Sequence, residues 1–332
     1  MIKKTVVLIC DLVENRDGVT ITTDNLEFTS KRYYNSINDS LHEIFENVIH
    51  YENPNDFIDN IENHKDDIVI SAIWSGTNSR NRKSLIPAIC ESYGIKYVGA
   101  DAFAQSLCQD KSLSKLYCKQ FNIEIPDGFL ISNENDIERI KFLKFPVIIK
   151  PNAEGASIGI SDDSIADNFE DAILKTKNLL KHFSPILVEE YIDGTEVAIC
   201  CVGTSDNIKL CEVVALEINV ETFLKHQIWG YESKKCGASQ INRHIITDSV
   251  NKEIIEEAKK IFSSLGKVDY MRIDGRILNN KFYLIELTPD CSLHPDCFMF
   301  KSFQHHNLSY TEMMKEIIST QFNIQEDQNP KN

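Results

Sequence analysis

Two stretches in the C-terminal half carry an arginine, two acids and a hydroxyl at a spacing that suits phosphate chemistry. Arg272-Ile273-Asp274 and Glu286-Leu287-Thr288 lie in predicted strands joined across a hairpin that includes Asn279-Asn280. Because side chains two residues apart on a strand share a face, these four polar groups are expected on one surface. The acids and the hydroxyl are hard oxygen ligands for Mg²⁺, and the arginine could stabilise charge that develops on an acyl phosphate. The alternative is a cross-strand ion pair on a solvated sheet face.

A lysine at the end of an apolar strand is followed at once by a loop that contains glycine. The run 145–150 ends in Lys150, and the loop 152–159 contains Gly155 and Gly159. Backbone N–H groups beside an ammonium group suit a polyphosphate. Taken alone, the same pattern is equally typical of an ordinary β-turn with an exposed lysine.

Two further polar stretches could contact a nucleotide. Residues 187–196 place carboxylates just after a predicted strand, where backbone groups could contact an adenine edge and Glu196 could accept from ribose hydroxyls. Residues 230–235 supply clustered lysines. Each stretch alone would be interpreted as a solvated charged turn, so it is the ordered combination that is specific.

The elements that must position these residues begin with a β-α-β alternation. Short apolar runs at 5–10, 68–73 and 96–98 are typical of buried strands, and the helical patterns between them predict a small parallel-sheet domain. The first of these helices is predicted over 41–48, with a cap at Asp39-Ser40.

Beyond residue 100 the pattern changes to helices mixed with antiparallel strands. The predicted helices cover 112–121, 168–180 and 309–322. Two predicted strands cover 146–150 and 186–190. Four further predicted strands form two antiparallel pairs, 196–202 with 207–214 and 268–273 with 282–287. The polar tail 323–332 is expected to be disordered.

Composition excludes several classes of partner. The chain has 332 residues and a formal net charge of −15, so its field repels phosphate backbones and anionic membrane surfaces. Nucleic-acid and membrane partners are therefore not expected. The ten cysteines are scattered through a long chain with no recognisable secretory signal, which favours a cytoplasmic protein with reduced thiols.

The ordered combination resembles the ATP-grasp superfamily, and within it the D-alanine–D-alanine ligase-like branch, from residue 5 to about residue 320. Residues 154–159 match its phosphate loop, Tyr231-Glu232-Ser233-Lys234 its Y-E-A-K element, and Gln109-Asp110-Lys111 the start of its central domain. The resemblance implies an α/β and α+β architecture, namely an ATP-grasp fold with an N-terminal Rossmann-like parallel-sheet domain. It divides the chain into an N-terminal domain at 1–99, a central subdomain at 100–187, a C-terminal subdomain at 188–322 and a tail at 323–332.

The resemblance also implies roles for individual residues, with ATP and one or two Mg²⁺ ions (or Mn²⁺) as cofactors. The catalytic residues would be Arg272, Ser157 and Lys234. The nucleotide would be bound by Lys111, Lys150, Glu154, Ser157, Glu189, Ile192, Glu196 and Lys234. The metal would be bound by Asp274, Glu286 and Thr288, and the substrate by Glu14, Lys235 and Ser292.

Several positions depart from the family pattern. Thr288 stands where the family usually has asparagine, Ala156 replaces the first serine of the phosphate loop, and Lys235 replaces a tyrosine. Asp290 is a candidate for an additional metal ligand. Residues 74–82 replace a family stretch near the substrate, and Arg80 and Arg82 within it could favour an additional substrate carboxylate.

The nucleotide side therefore follows the family while several substrate contacts do not. The predicted function is an ATP-dependent carboxylate–amine ligase that acts on amino-acid or dipeptide-like substrates other than the D-alanine pair, through an acyl phosphate. A homodimer is expected only because dimers are common in this branch. The alternatives are a nucleotide-binding protein with little turnover, which the Thr288 substitution favours, and a ligase for a non-amino-acid carboxylate. A zinc site at Cys291, His294 and Cys297 is a weaker alternative, because the run lacks a second pair of ligands.

Overall fold

The computed structural model describes residues 1–12, 29–72, 79–228 and 241–322, and the strands in these ranges form three sheets. The strands are β1 Ile2–Cys10, β2 Phe45–Tyr51, β3 Ile68–Ala72, β4 Lys96–Val98, β5 Gly128–Ile131, β6 Val147–Pro151, β7 Ile165–Ala166, β8 Ile186–Glu190, β9 Gly194–Thr204, β10 Asn207–Ile218, β11 Phe223–Leu224, β12 Ile241–Ile245, β13 Tyr270–Leu278 and β14 Lys281–Pro289. The helices are α1 Lys31–Ile44, α2 Pro54–Asp59, α3 Leu85–Tyr93, α4 Ala102–Gln109, α5 Lys111–Cys118, α6 Phe169–Leu180, α7 Lys252–Ser264, α8 Phe298–His305 and α9 Tyr310–Ile318. Among the helices of the described ranges, none has the length and apolar character needed to cross a membrane. The tail 323–332 lies outside the described residues.

The first sheet is parallel, with the strand order β2-β1-β3-β4, and it confirms the predicted β-α-β region. Residues 6–10 of β1, at the centre of the sheet, are apolar because both faces of this strand are covered. Val6 and Leu8 of β1 pack with α1 on one face, and Val7 and Ile9 pack with α2 and α3 on the other. A strand buried on both sides needs apolar residues at every position rather than at alternate ones.

The helix predicted over 41–48 is wrong in its boundaries. Helix α1 begins a full ten residues earlier, where the Ser30 side chain accepts a hydrogen bond from the Tyr33 backbone N–H, and it ends at Ile44. Phe45 and Val48 belong to β2, in which Val48 pairs with Val6 of β1. The apolar spacing of this segment fits the end of a helix and the start of a strand equally well, and the pairing with β1 decides between them.

The second sheet is antiparallel, with the order β5-β8-β6-β7, and α6 packs on one of its faces. Val147 and Ile149 of β6 and Val188 of β8 point into that apolar core. Because successive side chains alternate, Lys150 and Glu189 point to the opposite face. The predicted strands at 146–150 and 186–190 are confirmed to within one residue.

The third sheet has the order β12-β10-β9-β13-β14, with β11 paired to one end of β9. Helices α8 and α9 pack on one face and α7 on the other. The predicted β13–β14 hairpin is confirmed, with Arg272 opposite Thr288 and Asp274 opposite Glu286. Its turn residues Asn279 and Asn280 have φ values of 51° and 61°, as the hairpin turn requires.

A buried junction joins the end of β4 to the third sheet. The Gly99 N–H donates to Asp269 Oδ2 at 2.7 Å, and the Ala100 N–H donates to Asp290 Oδ1 at 2.8 Å. The Lys267 ammonium donates to the Gly99 carbonyl at 2.6 Å. Gly99 has a φ of 120°, and a Cβ placed there would lie 2.5 Å from Asp290 Oδ2. This junction therefore admits only glycine at position 99 without rearrangement.

Gly99→Ala is expected to destabilise the protein far more than Gly94→Ala. Gly94 also has a positive φ, of 66°, but a Cβ there would have no atom within 4 Å. We expect Gly94→Ala to lower the free energy of unfolding by about 1 kcal/mol through backbone strain alone. Gly99→Ala adds a collision with a buried carboxylate and should cost roughly 3 kcal/mol or more. Thermal unfolding of the two variants and the native protein measures the difference, and equal midpoints would contradict the close contact at Gly99.

Candidate active site

A cleft of ≈ 560 Å³ is lined by β6 and β8 of the second sheet and by β9, β13 and β14 of the third. It brings together twelve of the residues to which the family resemblance assigns a role. These are Lys111, Lys150, Glu154, Ser157, Glu189, Ile192, Glu196, Arg272, Asp274, Glu286, Thr288 and Ser292. The remaining predicted residues, Glu14, Lys234 and Lys235, lie outside the described residues.

The β13–β14 hairpin presents an arginine–carboxylate pair to the cleft. Arg272 binds Asp274 through two hydrogen bonds, Nε to Oδ1 at 2.6 Å and Nη2 to Oδ2 at 2.8 Å. The Thr288 hydroxyl donates to Asp274 Oδ2 at 3.1 Å. Two donors therefore fix the orientation of this carboxylate, and burial raises its pKa.

Lys111, at the start of α5, connects the hairpin to the phosphate loop. Its ammonium lies 3.1 Å from Glu286 Oε2 and also donates to the Glu154 carbonyl oxygen. Although burial opposes it, the positive charges of Lys111 and Lys150 lower the pKa of Glu286 to about 2. Glu286 is therefore ionised at neutral pH, beside two ammonium groups.

Lys150 belongs to a buried group of two lysines and one glutamate. The Lys150 ammonium lies 2.6 Å from Glu189 Oε1, and Lys115 binds Glu189 Oε2. All three side chains are 5% exposed or less. Burial lowers the pKa of Lys115 to about 8 and outweighs the opposing effect of Glu189. The Glu189 carboxylate is thus occupied by lysines, which leaves the backbone of this segment as the group that could contact an adenine edge.

The phosphate loop has a compact backbone with consecutive residues in the left-handed region. Ala156 and Ser157 have φ values of 49° and 63°. The Ile158 N–H donates to the Gly155 carbonyl at 2.9 Å, which closes a turn. Outside regular elements, non-glycine residues with such φ values are uncommon and cluster at functional sites. The geometry therefore marks this loop as a specialised segment on the cleft wall.

Glu196 is held by an arginine that the sequence analysis did not single out. Arg276 is 3% exposed, and its Nη2 lies 2.9 Å from Glu196 Oε2. The same guanidinium donates to the Ile192 carbonyl at 2.8 Å and to the Gln227 carbonyl at 2.7 Å. Arg276 therefore joins β9 and the segment after β8 to residues 224–228. Its position two residues beyond Asp274, between the predicted strand 268–273 and the Asn279-Asn280 turn, was the signal that could have revealed it.

Arg80 and Arg82 are engaged with acids of the same chain. Arg82 Nη2 lies 3.1 Å from Glu154 Oε2, and Arg80 Nη1 lies 3.7 Å from Asp110 Oδ2. The expectation that they serve a substrate carboxylate gains no support from these contacts. The sequence analysis missed Lys115, which binds the cleft residue Glu189, and Arg243, which lines the cleft. Lys115 lies four residues after Lys111 and so on the same face of α5, whereas Arg243 lies outside every motif.

The cysteines near the cleft are neutral thiols. Burial raises the pKa of Cys291 well above its ordinary value and also raises that of Cys297. His294 accepts a hydrogen bond at Nδ1 from the Asp296 N–H at 3.1 Å. Within the described part of the chain, no group of three or more His, Cys, Asp or Glu side chains is arranged to hold a metal. The zinc alternative at these residues gains no support.

The residues present fit a nucleotide polyphosphate and Mg²⁺. Lys111 and Lys150 would hold phosphate oxygens, because both ammonium groups line the cleft and now satisfy carboxylates in it. Asp274 and Glu286 would hold the metal, since they face each other across the hairpin and supply hard oxygen atoms. Mg²⁺ typically takes one or two protein carboxylates and completes its shell with phosphates and water.

Comparison with known proteins places this architecture in a family. The family model described as "D-ala D-ala ligase C-terminus" matches residues 121–319. A D-alanine–D-alanine ligase of Thermotoga petrophila is 25% identical over 269 residues, which cover 80% of this chain and 84% of the relative. One of Thermosipho melanesiensis is 29% identical over 256 residues, covering 74% of this chain and 66% of the relative.

Solved structures share the fold across almost the whole chain. The D-alanine–D-alanine ligase of Bacillus anthracis in complex with ATP has a TM-score of 0.70 at 17% identity, covering 98% of this chain and 100% of that one. The VanG D-Ala:D-Ser ligase of Enterococcus faecalis also has a TM-score of 0.70, at 18% identity, covering 96% and 100%.

Asp290, the candidate for an additional metal ligand, uses its carboxylate in the junction described above. Oδ1 accepts from the Ala100 N–H at 2.8 Å and Oδ2 accepts from Gln105 Nε2 at 2.5 Å. Burial raises its pKa from 3.8 to about 7, against the lowering effect of Lys267. A carboxyl whose pKa is raised by folding stabilises the fold when protonated. That contribution is complete below pH 3.8 and is lost as the pH rises through about 7.

Asp290→Asn is therefore expected to reduce the pH dependence of stability. Asparagine tolerates the left-handed φ of 47° at this position and can still accept from the Ala100 N–H. Relative to the native protein, the variant should gain roughly a few kcal/mol of stability between pH 4 and pH 8. Urea unfolding at several pH values measures this change, with the exposed Asp66→Asn as control. A native-minus-variant difference that is constant with pH would contradict the assignment.

Proposed function

The chain belongs to the D-ala D-ala ligase C-terminus family, and on that premise we propose that it is an ATP-dependent carboxylate–amine ligase of the ATP-grasp superfamily. It joins a carboxylate to an amine through an acyl phosphate formed at the expense of ATP. The observation that carries the assignment is the cleft itself. Lys111 is paired with Glu286, Lys150 lines the same cleft, and the Arg272–Asp274 ion pair lies there too, which supports a role for the cleft in bringing a triphosphate and a carboxylate together.

The nucleotide is bound by groups from both sheets that line the cleft. Lys111 and Lys150 neutralise phosphate charge, and the loop 154–159 lies against the polyphosphate. The segment around Ile192 contacts the base, and Glu196 accepts from the ribose. The assignment of Lys234 to the phosphates rests on the sequence match alone. Mg²⁺, when bound to Asp274 and Glu286, supplies the positive charge that draws the phosphate oxygens together.

The residues of this chain contribute mainly positioning and electrostatics. The donor carboxylate attacks the γ-phosphorus of ATP, and the phosphorus–oxygen bond to ADP breaks. The amine then attacks the acyl carbon, phosphate leaves with the oxygen it received, and the amine loses a proton. Arg272 offsets the negative charge on the reacting oxygens, and it is oriented for this by its two hydrogen bonds to Asp274. Ser157 and Ser292 line the same cleft as additional hydroxyl donors.

We propose amino-acid or dipeptide-like substrates other than the D-alanine pair of the relatives. The support is the set of departures from the family pattern: Lys235 and residues 74–82 on the substrate side, Thr288 on the metal side and Ala156 in the phosphate loop. A cytoplasmic location and a homodimer are proposed from the family resemblance alone. The second candidate, a nucleotide-binding protein with little turnover, rests on Thr288, whose hydroxyl donates to Asp274.

Phosphate release in the presence of ATP and Mg²⁺ tests the proposal. The purified protein is incubated with a panel of D- and L-amino acids and dipeptides, singly and in pairs, and the products are identified by mass spectrometry. A substrate pair that stimulates phosphate release and yields a condensed product supports the ligase. ATP binding without stimulation by any member of the panel favours the second candidate.

Arg272→Ala is expected to lower kcat by about 10²- to 10³-fold, the effect of removing one donor from an oxyanion site. The KM for ATP should change much less, because Lys111 and Lys150 remain. Steady-state kinetics with the best substrate pair measures both values. Arg139→Ala is the control, since Arg139 is an exposed arginine that stacks on Phe129 in the second sheet. Turnover that survives Arg272→Ala unchanged would exclude the role given to Arg272.

Lys115→Met is expected to raise the KM for ATP about tenfold while changing kcat less. Lys115 neutralises part of the charge of Glu189, and without it Glu189 would hold the Lys150 ammonium more tightly and away from the phosphates. Lys119→Met is the matched control, because Lys119 is exposed one turn further along. Steady-state kinetics with varied ATP gives the two constants. An unchanged KM for ATP in a folded Lys115→Met protein would show that Lys115 does not position Lys150.

A further inference from the structure

Arg82, in the N-terminal part of the chain, reaches across to the phosphate loop. It begins a short 3₁₀ helix, Arg82–Ser84, that precedes α3. Its Nη2 donates to Glu154 Oε2 at 3.1 Å, and Glu154 is the first residue of the loop 154–159. The two residues are 72 positions apart in the chain, so the contact joins two distant segments.

The main chain at the start of the phosphate loop is held by other contacts. The Lys111 ammonium donates to the Glu154 carbonyl oxygen. Gln109 Nε2 donates to the Ala153 carbonyl at 2.5 Å. The end of α4 and the start of α5 therefore fix the path of the backbone into the loop, whereas Arg82 holds the Glu154 side chain.

The turn that follows Glu154 depends on such support. Ala156 and Ser157 have φ values of 49° and 63°, and non-glycine residues keep such values only where the surrounding structure holds them. The Ile158 N–H closes the turn by donating to the Gly155 carbonyl at 2.9 Å. The backbone N–H groups of the loop can meet phosphate oxygens only while this conformation is kept. An anchor at the residue before the turn therefore bears directly on nucleotide binding.

The Arg82–Glu154 ion pair is shielded enough from water to act as an anchor. The Arg82 side chain is 7% exposed and that of Glu154 is 27% exposed. Charges shielded from water attract each other more strongly than charges at the surface, and the planar guanidinium adds directional hydrogen bonding. Arg80, in the same segment, provides a contrast: it is 64% exposed and lies 3.7 Å from Asp110 Oδ2. Such an exposed pair contributes little.

We propose that Arg82 is a positioning residue that holds the phosphate loop in its nucleotide-binding conformation through Glu154. The inference rests on the proposed binding of ATP in this cleft. Arg82 does not line the cleft, so it acts on the nucleotide only through the loop. It belongs to the segment 74–82, which departs from the family pattern, and this segment thereby contributes to the nucleotide site.

Calorimetric titration of a non-hydrolysable ATP analogue with Mg²⁺ tests the inference. Arg82→Met and Glu154→Met should each raise the Kd about tenfold, because either change removes the ion pair. The double variant should also bind about tenfold more weakly than the native protein, since its second change has no ion pair left to remove. Effects of the two single changes that multiply in the double variant would overturn the inference.

Arg80→Met is the matched control, because it removes an exposed arginine of the same segment, and it should change the Kd less than about twofold. Arg82→Lys keeps the positive charge but loses the planar fork, so it should restore part of the affinity. If Arg82→Met does not fold, Glu154→Met removes the same ion pair from its more exposed side. An unchanged Kd in folded Arg82→Met or in Glu154→Met would contradict the proposed role.

Hydrogen exchange separates a positioning role from a general loss of stability. In the free protein, the amides of residues 155–160 should exchange several-fold faster in Arg82→Met than in the native protein. The amides of α6, on the other face of the second sheet, should exchange at the native rate. Exchange that rises equally in both segments would make Arg82 a merely structural residue and overturn the inference.

The outcomes distinguish this inference from the ligase assignment. Binding of the analogue that depends on Arg82, without condensation of any substrate pair, supports the inference while the ligase assignment fails alone. Condensation with a Kd that is independent of Arg82 overturns the inference and leaves the ligase assignment in place. A native protein that binds no nucleotide would overturn both.

Discussion

The register of the β13–β14 hairpin is the constraint on which the cleft depends. Asp274 lies opposite Glu286, and the pairing continues from there to Met271 opposite Pro289, whereas towards the turn it shifts by one residue, so that Gly275 lies opposite Leu284. Side chains alternate along a strand, so a slip of one residue would send both acids into the apolar core that contains Ile273 and Leu287. The register is held by those buried neighbours and by the two-asparagine turn. Packing on one face of the hairpin thus specifies the chemistry available on the other.

The same division between an apolar face and a charged face recurs in the second sheet. On one face of this sheet, Val147, Ile149 and Val188 pack into the apolar core. On the opposite face, Lys150 and Glu189 line the cleft. Burying ammonium and carboxylate groups is costly unless each has a partner. In this cleft the partners come from different elements: Lys115 from α5 serves Glu189, and Lys111 serves Glu286. The charges are paired within the protein and available to a ligand that exchanges partners with them.

Much of this arrangement could be predicted from the sequence, because it depends on the alternation of apolar and polar residues within strands and on the order of the motifs along the chain. The parallel N-terminal sheet, the hairpin and the strand that ends in Lys150 were all predicted, and twelve residues to which the family resemblance assigns a role line one cleft. Arg80 and Arg82, which were expected near the substrate, do not line it. The sequence analysis missed two kinds of feature. The boundary between α1 and β2 depends on pairing with β1, which short-range spacing does not reveal. Arg243 reaches the cleft from β12, which carries no motif, and Lys115 belongs to none although it follows Lys111 on α5, so the position of Arg243 in the cleft and that of Lys115 on Glu189 are products of tertiary packing. The roles of the individual site residues remain predictions.

Arg276 makes one guanidinium common to three parts of the chain. It holds Glu196, the Ile192 carbonyl and the carbonyl of Gln227, which belongs to the stretch after β11. A ligand that competes with Arg276 for Glu196 changes the hydrogen bonds that Arg276 makes to residues 224–228. A shift of those residues in turn changes how strongly Arg276 holds Glu196, and so how strongly Glu196 binds the ligand. Thermodynamic linkage requires the two effects to be equal in free energy. If Glu196 binds the ribose, as proposed, sugar binding and the position of residues 224–228 are coupled through Arg276.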